Sequence, residues 1–321
     1  MTVKRKILMV LLGLILFLHI LPFLIPLSTA SQITDTPFEN SRRLRIDGVE
    51  LHYRTWIPDE AEHNPIVYIH GLGGSTFSWR NNIDEFVEEG YPVIAVDLPA
   101  FGYSSRQTGL IHSQENRSKW IFELLDYLHT TDIIHPGEGY HLVGHSMGGG
   151  VIAAMALDRP EDIQTLIFVA GSVLDNPPRV RSLLSYPPLK RTVSVLGEHV
   201  FFSKDRLEGI LSSAYGEEVD EDTLEGYLHP FNIPGTGRAW GDLLSTSTAF
   251  SEEAVASISV PAMLIWGEED SWVTLEEGAR LENLLSKGDL TIIEGSAHTP
   301  METDSAEFND RLLEFLSGRD D

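Results

Sequence analysis

Cysteine is absent from the 321 residues of the sequence. Without cysteine the chain forms no disulfide bond, offers no thiolate to a metal ion and carries no cysteine nucleophile. The absence leaves the compartment open, because a protein can be exported to an oxidising environment without disulfides. The length suffices for one large domain or two small ones, with ample material for a hydrophobic core.

Basic residues are also scarce. Lysine and arginine number 23 against 48 aspartates and glutamates, which gives a formal net charge of −25. Proteins that bind nucleic acid need a basic surface to neutralise phosphate groups. We therefore expect no nucleic-acid partner, and solubility accounts for an acidic surface of this kind.

A long apolar run begins near the N-terminus. Lys4-Arg5-Lys6 precedes the segment Ile7–Leu27, which is interrupted by His19 and two prolines. Its roughly 21 residues, at about 1.5 Å each, reach about 31 Å, enough to cross a bilayer core about 30 Å thick. Residues 1–30 are therefore predicted to be a membrane anchor, or a secretory signal peptide cleaved after Ser28-Thr29-Ala30. In either case the basic flank stays in the cytoplasm and the rest of the chain lies outside it, membrane-anchored or secreted.

Residues 31–41 are polar, include a proline and predict a linker. Beyond the linker, Leu44–Ile46 and Val49–Arg54 flank Asp47-Gly48 and predict a β-hairpin. Short continuous apolar runs then predict strands buried on both faces, separated by segments of helical periodicity. The predicted strands are Ile66–Ile69, Val93–Val96, Tyr140–Gly144, Ile163–Ala170, Ala262–Trp266 and Leu290–Ile293, and the predicted helices lie near Trp79–Glu89, His112–His129, Leu275–Ser286 and Ser305–Leu316.

This alternation predicts that residues 42–321 form an α/β domain. Its sheet is expected to be mostly parallel and doubly wound, with helices on both faces. The alternation breaks down over about residues 171–251, which are rich in proline, serine and short amphipathic pieces. A segment of this length is too long for a plain loop, so we interpret it as a helical cap inserted over the sheet.

The clearest motif is a serine framed by glycines. Ser146 lies between Gly144 and Gly148, after an apolar run and before a long stretch of small and apolar residues. The pattern G-x-S-x-G is typical of a sharp strand-to-helix turn that exposes a serine at the end of a strand. Glycines flank such a turn because a Cβ there would collide with the neighbouring backbone. The motif predicts a nucleophilic serine at the sheet edge.

A serine nucleophile needs a base and a group that orients the base. Of the twelve histidines, His298 follows the last predicted strand at the same sheet edge as Ser146. The acid is expected after an earlier strand, where Asp270 is favoured because the turn from Gly267 folds the fourth residue back over the edge. The alternatives are Glu268, Glu269 and Asp175. The order Ser146, Asp270, His298 is that of one hydrolase fold.

Five segments resemble the motifs of the α/β-hydrolase superfamily, within the capped group of monoacylglycerol lipases, esterases and carbon–carbon bond hydrolases. The resemblance covers about residues 42–316. The matching segments are His70-Gly71-Leu72-Gly73-Gly74, Asp97-Leu98-Pro99-Ala100-Phe101-Gly102-Tyr103-Ser104, Gly144-His145-Ser146-Met147-Gly148-Gly149, Gly267-Glu268-Glu269-Asp270 and His298.

The resemblance implies Ser146 as nucleophile, His298 as base and Asp270 as orienting acid. It implies that the backbone N–H groups of Leu72 and Met147 form an oxyanion hole, and that no metal or organic cofactor is required. Relatives usually have glycine where this chain has Ala100, a structural position. Serine at the turn argues against the dehalogenase and epoxide hydrolase branches, which carry aspartate there.

The cap is expected to choose the substrate. Its apolar residues predict an acyl chamber and, with the membrane segment, a hydrophobic carboxylic ester as substrate. Aromatic residues at this spacing also fit a cap core. A carbon–carbon bond hydrolase, a perhydrolase or acyltransferase, and a non-catalytic binding protein remain the alternatives. The aromatic residues in question are Phe201, Phe202, Tyr227, Phe231 and Trp240.

Overall fold

The computed structural model describes residues 3–34, 36–174 and 183–319. Within them, eight strands form one sheet in the order β1-β2-β4-β3-β5-β6-β7-β8. The strands are β1 (Ser41–Ile46), β2 (Val49–Trp56), β3 (Ile66–Ile69), β4 (Val93–Asp97), β5 (Tyr140–His145), β6 (Ile163–Val169), β7 (Ala262–Gly267) and β8 (Gly288–Ile293).

Pairing in the sheet is antiparallel at one edge and parallel elsewhere. β1 and β2 form the predicted hairpin around Asp47 and Gly48, whose φ values of 49° and 86° suit a tight two-residue turn. β2 pairs with β4 in antiparallel fashion, and all pairs from β4 through β8 are parallel. The carboxyl ends of the parallel strands therefore meet at one edge, as the sequence predicted.

Helices cover both faces of the sheet and bury two apolar clusters against it. The helix Met147–Asp158 is almost entirely buried, which matches its run of small and apolar residues. The helices are α1 (Val3–Leu24), α2 (Ile83–Glu88), α3 (Gln114–Thr130), α4 (Met147–Asp158), α5 (Pro187–Leu196), α6 (Lys204–Tyr215), α7 (Glu221–Phe231), α8 (Thr236–Thr246), α9 (Glu252–Ala256), α10 (Leu275–Leu284), α11 (Pro300–Thr303) and α12 (Ser305–Ser317).

The helix predicted near Trp79–Glu89 is shorter than expected. The chain forms a single 3-10 turn over Thr76–Trp79 and begins α2 at Ile83. Between them the buried Asn82 side chain donates hydrogen bonds to the Met301 carbonyl and to another core amide. These long-range bonds hold the intervening residues outside a continuous helix, and periodicity carries no signal of them.

The segment predicted as a cap contains α5 to α8. A π-helical turn, Gly197–Phe201, follows α5 directly. At the base of the cap the Phe250 amide donates to the Val173 carbonyl at 3.1 Å, which brings the two ends of the insertion together. The cap therefore leaves the sheet after β6 and returns to it before β7.

The N-terminal helix α1 has 22 residues, and an 18-residue window within it has a mean hydropathy of 2.8, so the helix is long and apolar enough to cross a membrane. The stretch predicted as a linker, residues 31–41, packs on the domain through two of its described residues. Its Ile33 side chain is buried with Tyr103 and Ile233, and Phe38 packs against the same cluster. Apolar side chains at these two positions explain why the stretch adheres to the surface.

Candidate active site

Ser146 lies in the turn between β5 and α4, with a strained backbone. Its φ of 47° and ψ of −115° are unusual for a residue with a side chain and cost about 1–3 kcal/mol. Backbone hydrogen bonds hold this conformation: the Ser146 amide donates to the Val169 carbonyl at 2.9 Å. The Ser146 carbonyl accepts from Gly149 at 2.9 Å and from Ser172 at 2.8 Å. The surrounding structure thus fixes the serine at the carboxyl edge of the sheet.

The flanking glycines permit close backbone packing. A Cβ on Gly144 would lie 2.5 Å from the Gly148 carbonyl oxygen, and a Cβ on Gly148 would meet the Ile69 carbonyl oxygen. Both contacts are with backbone atoms, which cannot rotate away. The glycine pattern seen in the sequence is therefore required by the turn.

His298 and Asp270 form a hydrogen-bonded pair. His298 Nδ1 lies 2.8 Å from Asp270 Oδ2, and both side chains are buried. The other carboxylate oxygen of Asp270 accepts from the backbone amides of Trp272 at 2.8 Å and Val273 at 3.0 Å. Because the carboxylate accepts from Nδ1–H, the Nε2 atom of a neutral His298 is left free to accept a proton.

The other acidic candidates lie elsewhere. Glu268 and Glu269 are exposed, and the Glu268 carboxylate accepts from the Gly295 amide at 3.1 Å. Asp175 lies outside the described residues. The turn from Gly267 does fold back, because the Asp270 amide donates to the Gly267 carbonyl. The structure thus brings the favoured candidate, Asp270, to His298.

The glycine-rich turn after β3 is braced by a buried histidine. His70 Nδ1–H donates to the Gly71 carbonyl at 2.7 Å, and its Nε2 accepts from the Leu98 amide at 3.0 Å. Burial lowers the pKa of His70, so the ring stays neutral in this role. Leu72 lines the same cavity as Ser146. Met147 begins α4, where backbone N–H groups have no partner within the helix.

Two side chains, those of His145 and Trp272, make contacts with His298 that the sequence did not indicate. His145, expected to pack beside the turn, also donates from Nε2 to the His298 carbonyl at 2.9 Å. Burial and the neighbouring His298 hold the pKa of His145 well below its usual range. The Trp272 ring stacks on the His298 ring, with centroids 5.4 Å apart. His145 is in the serine motif, but nothing in the sequence links Trp272 to His298.

A cavity of about 450 Å³ lies between the sheet edge and the cap. Ser146 and His298 line it on the side of the sheet, and the five cap aromatic residues singled out from the sequence line it from above. These aromatic side chains also contact one another: the Phe202 and Phe231 rings stack at 4.6 Å. They therefore serve both as cap core and as cavity wall.

A buried carboxylate that sequence reasoning missed lies beside the cavity. Glu302 accepts hydrogen bonds from the Arg80 guanidinium and from the hydroxyls of Tyr227 and Tyr215, the last at 2.5 Å. Burial raises the pKa of Glu302, while Arg80 and the two tyrosines oppose this. Both tyrosines belong to the cap and line the cavity, so the carboxylate ties cap to core. Arg80 and Glu302 are 222 positions apart in the sequence, which is why no local pattern reveals them.

The sheet, the cap and the serine turn define an α/β-hydrolase. A sequence profile of the alpha/beta hydrolase fold family matches residues 64–305, and the chain belongs to this family. The predicted fold and family are therefore confirmed.

Two curated relatives and one solved structure illustrate the likeness. The chain is 26% identical over 287 residues to "Uncharacterized hydrolase YugF" of Bacillus subtilis (strain 168), covering 86% of this chain and 97% of YugF. It is 27% identical over 293 residues to the 2-hydroxy-6-oxononadienedioate/2-hydroxy-6-oxononatrienedioate hydrolase of Burkholderia vietnamiensis (strain G4 / LMG 22486), covering 84% and 92%. A thermophilic esterase from Thermogutta terrifontis has the same fold, with a TM-score of 0.69 at 19% identity over 92% of this chain and 100% of the esterase.

Proposed function

We propose that the protein is a serine hydrolase that cleaves a carboxylic ester with a hydrophobic acyl group. The observation that carries this proposal is the His298–Asp270 pair, joined at 2.8 Å beside the cavity that Ser146 also lines. In the proposed site Ser146 is the nucleophile, His298 the general base and Asp270 the group that orients the base.

The proposed reaction is a two-step acyl transfer. His298 Nε2 takes the proton from Ser146 Oγ as this oxygen attacks the carbonyl carbon. The tetrahedral intermediate expels the alcohol, which receives the proton from His298. Water then attacks the acyl-enzyme, again with His298 as base, and releases the carboxylic acid and free Ser146.

The oxyanion of each tetrahedral intermediate would accept hydrogen bonds from the backbone N–H groups of Leu72 and Met147. Donors of this kind are worth about 3–4 kcal/mol each in other serine hydrolases. The bracing of the glycine-rich turn by His70 and the position of Met147 at the start of α4 support this assignment. Backbone groups held in this way need no reorganisation as charge develops.

The lining of the cavity supports a neutral, apolar substrate. Among the described lining residues none is a lysine or an arginine. The nearby Arg80 is already paired with Glu302. Aliphatic and aromatic side chains of the cap make up most of the upper wall, including Val193, Leu207 and Phe231. An acyl chain fits this surface, because burial of apolar groups drives its binding.

Carbon–carbon bond hydrolysis is the second candidate, because the relative from Burkholderia vietnamiensis is named for a dienedioate substrate. A dienedioate carries two carboxylates, and burying them without cationic partners would cost several kcal/mol each. The described lining of the cavity offers no such cation. This mismatch favours the ester over the dicarboxylate.

We further propose that α1 anchors the protein in a membrane, with the catalytic domain on the side away from the cytoplasm. The length of α1 and the mean hydropathy of 2.8 over an 18-residue window within it support a membrane span. The basic residues Lys4, Arg5 and Lys6 precede the apolar stretch and favour a cytoplasmic N-terminus.

A series of p-nitrophenyl esters of increasing acyl length tests the proposed chemistry. We expect kcat/KM to rise with chain length until the acyl group fills the cavity, and a fluorophosphonate probe to label Ser146. Faster cleavage of a 2-hydroxy-6-oxo dienedioate than of any ester would favour the second candidate instead. Absence of both labelling and turnover would reject the serine hydrolase assignment.

A further inference from the structure

The backbone that leaves α1 is held by the cap. Arg191 in α5 donates from Nε to the Pro22 carbonyl at 3.0 Å and from Nη2 to the Ile25 carbonyl at 2.6 Å. His199 donates from Nε2 to the Pro26 carbonyl at 2.9 Å. We call the cap residues that bind residues 22–30 the anchor clamp; they are Arg191, Glu198, His199, Gly235 and Arg238.

The remaining clamp contacts continue along the chain. Arg238 donates from Nη2 to the Leu27 carbonyl at 3.2 Å. The Ser28 amide donates to Glu198 Oε1 at 2.7 Å, and the Ser28 hydroxyl accepts from the Gly235 amide at 2.8 Å. Most of the groups bound on residues 22–30 are backbone atoms. The clamp therefore fixes the path of the segment more than its sequence.

Residues 22–30 fit the cap closely. Pro22 and Leu27 are buried, and Gly235, with φ of 95°, comes so near that a Cβ on it would lie 2.8 Å from Ala30 Cα. Carbonyls at a helix C-terminus have no partner within the helix, so the Arg191 guanidinium satisfies groups that would otherwise be unpaired.

Two cations share the clamp. Burial, and then the neighbouring Arg238 guanidinium, lower the pKa of Arg191. The carbonyl oxygens of the segment and the Glu198 carboxylate offset this repulsion. If residues 1–30 were removed, the clamp would lose all of these backbone partners. The geometry thus fits a chain that retains its N-terminal segment.

The clamp and the cavity share one part of the cap. Val193 and Gly197, near Arg191 and Glu198 in sequence, line the cavity together with Phe201. Tyr186 directly precedes α5, and its ring packs at 5.8 Å against the His19 ring of α1. Because His19 lies inside the apolar helix, this contact places the start of α5 beside the helix that we propose spans the membrane.

Five apolar side chains among the described cap residues are exposed, and one of them, Tyr186, makes this contact. Exposure of these apolar side chains to water is unfavourable, whereas the interfacial region of a bilayer would bury them. Continuity with α1 identifies the occupant as the leaflet that α1 enters. The side chains are Leu183, Tyr186, Leu196, Phe201 and Ile210.

We propose that the anchor clamp holds the cap on the membrane surface, so that the cavity takes an amphiphilic acyl ester directly from the leaflet. This inference rests on the proposed ester hydrolase function and on α1 as an anchor. With a net charge of −25 the protein is repelled by anionic lipid, so a zwitterionic surface suits it better.

The kinetic test uses the full chain reconstituted in phosphatidylcholine vesicles. Two substrates are compared, water-soluble p-nitrophenyl butyrate and p-nitrophenyl palmitate dissolved in the vesicle membrane. For Arg191→Ala/Arg238→Ala we expect a rate within about twofold of wild type on butyrate and a loss of about tenfold on palmitate, roughly 1.4 kcal/mol. The control variant Arg45→Ala/Arg311→Ala removes two arginines that are exposed and lie outside the clamp, and it should change neither rate.

Equal rates for the clamp variant and wild type on both substrates would overturn the inference, as would an equal loss on both. A wild-type protein inactive on both esters, in contrast, would reject the proposed function. In that case cysteine cross-linking, which requires no enzyme activity, still tests whether the clamp holds the segment.

Because the chain has no cysteine, introduced pairs can be cross-linked cleanly. In native membranes, Pro26→Cys/His199→Cys should react with a short bismaleimide to give a cross-linked peptide detectable by mass spectrometry. Pro26→Cys/Asp310→Cys, with the second cysteine on the exposed face of α12, is the matched control. Cross-linking no greater than the control, or an intact mass that begins after Ala30, would overturn the inference.

Discussion

The described residues include two sets of a serine, a histidine and an aspartate that can be compared. In the first, His298 pairs with Asp270 at 2.8 Å beside the cavity that Ser146 lines. In the second, His52 Nδ1 lies 2.7 Å from Asp97 Oδ2, and His52 Nε2 lies 2.9 Å from Ser41 Oγ. By hydrogen-bond geometry the second group resembles a catalytic triad closely.

The surroundings of the two groups differ. Ser41 belongs to strand β1, where its hydroxyl also accepts from the Phe38 amide at 3.3 Å. His52 and Asp97 are fully buried, and neither lines the cavity beside Ser146. Ser146, in contrast, has a strained backbone at the edge of the sheet, beside a helix N-terminus and an open cavity. Under the proposed function, access and oxyanion donors, rather than the three residue types, would distinguish the nucleophile Ser146 from the structural Ser41.

The largest expected difference between the two groups concerns the serines. Ser146→Ala should reduce kcat for ester hydrolysis about 10⁵-fold or more, since the nucleophile is lost. Ser41→Ala, the matched control, should leave kcat within about twofold of wild type, because distant sites act independently. The comparison would fail if Ser146→Ala kept full activity or if Ser41→Ala lost it.

Asp270 and the neighbouring Glu269 should differ nearly as much in their effect on kcat. Asp270→Asn should lower kcat about 10⁴-fold, because the amide no longer holds His298 in the required tautomer. Glu269→Gln, a neighbouring exposed acid, should have little effect. Steady-state kinetics on purified variants measure both. A larger loss in Glu269→Gln would reassign the acid.

Asp97 should matter for stability. Its carboxylate accepts from His52, from the Thr76 amide at 2.6 Å and from the Tyr103 amide at 2.8 Å. Asp97→Asn places an NH₂ group against these donors and should lower the free energy of unfolding by about 3 kcal/mol. Urea unfolding followed by circular dichroism measures this, with the exposed Asp310→Asn as control. A loss below about 1 kcal/mol would contradict the structural role.

The same carboxylate predicts a pH dependence. Burial alone would raise the pKa of Asp97, but His52, His70 and the Tyr103 amide lower it to about 2 from an ordinary 3.8. The stabilisation is therefore fully present above pH 4 and is lost as pH falls toward 2, by roughly 2 kcal/mol in all. The difference in unfolding free energy between wild type and Asp97→Asn should shrink over this interval. A constant difference would show that Asp97 does not titrate as expected.

The smallest effect is expected for Ser41→Ala. Removing one partly buried hydroxyl from His52 should lower the free energy of unfolding by about 1 kcal/mol. The same urea experiment measures it. A loss as large as that of Asp97→Asn would mean that the serine, not the carboxylate, organises the second group.

Local sequence patterns predicted most of the fold. The apolar runs located the strands, and Asp47-Gly48 located the hairpin. Both succeeded because buried strands and tight turns depend on residues that are adjacent in the chain. The helix near Trp79–Glu89 was predicted too long, because the buried Asn82 bonds to distant residues. The contacts of Ile33 in the predicted linker were missed because its partners, Tyr103 and Ile233, are also distant in the sequence.

The sequence by itself determined the serine turn, since Gly144, Ser146 and Gly148 meet a steric demand that acts over five residues. It also located the strands along the chain and the apolar helix near the N-terminus. Which carboxylate meets His298, how Glu302 ties the cap to the core and how the cap grips residues 22–30 were decided by the tertiary structure. Each of these depends on a hydrogen bond between residues that are remote in the chain, and such partners are selected only when the whole fold forms.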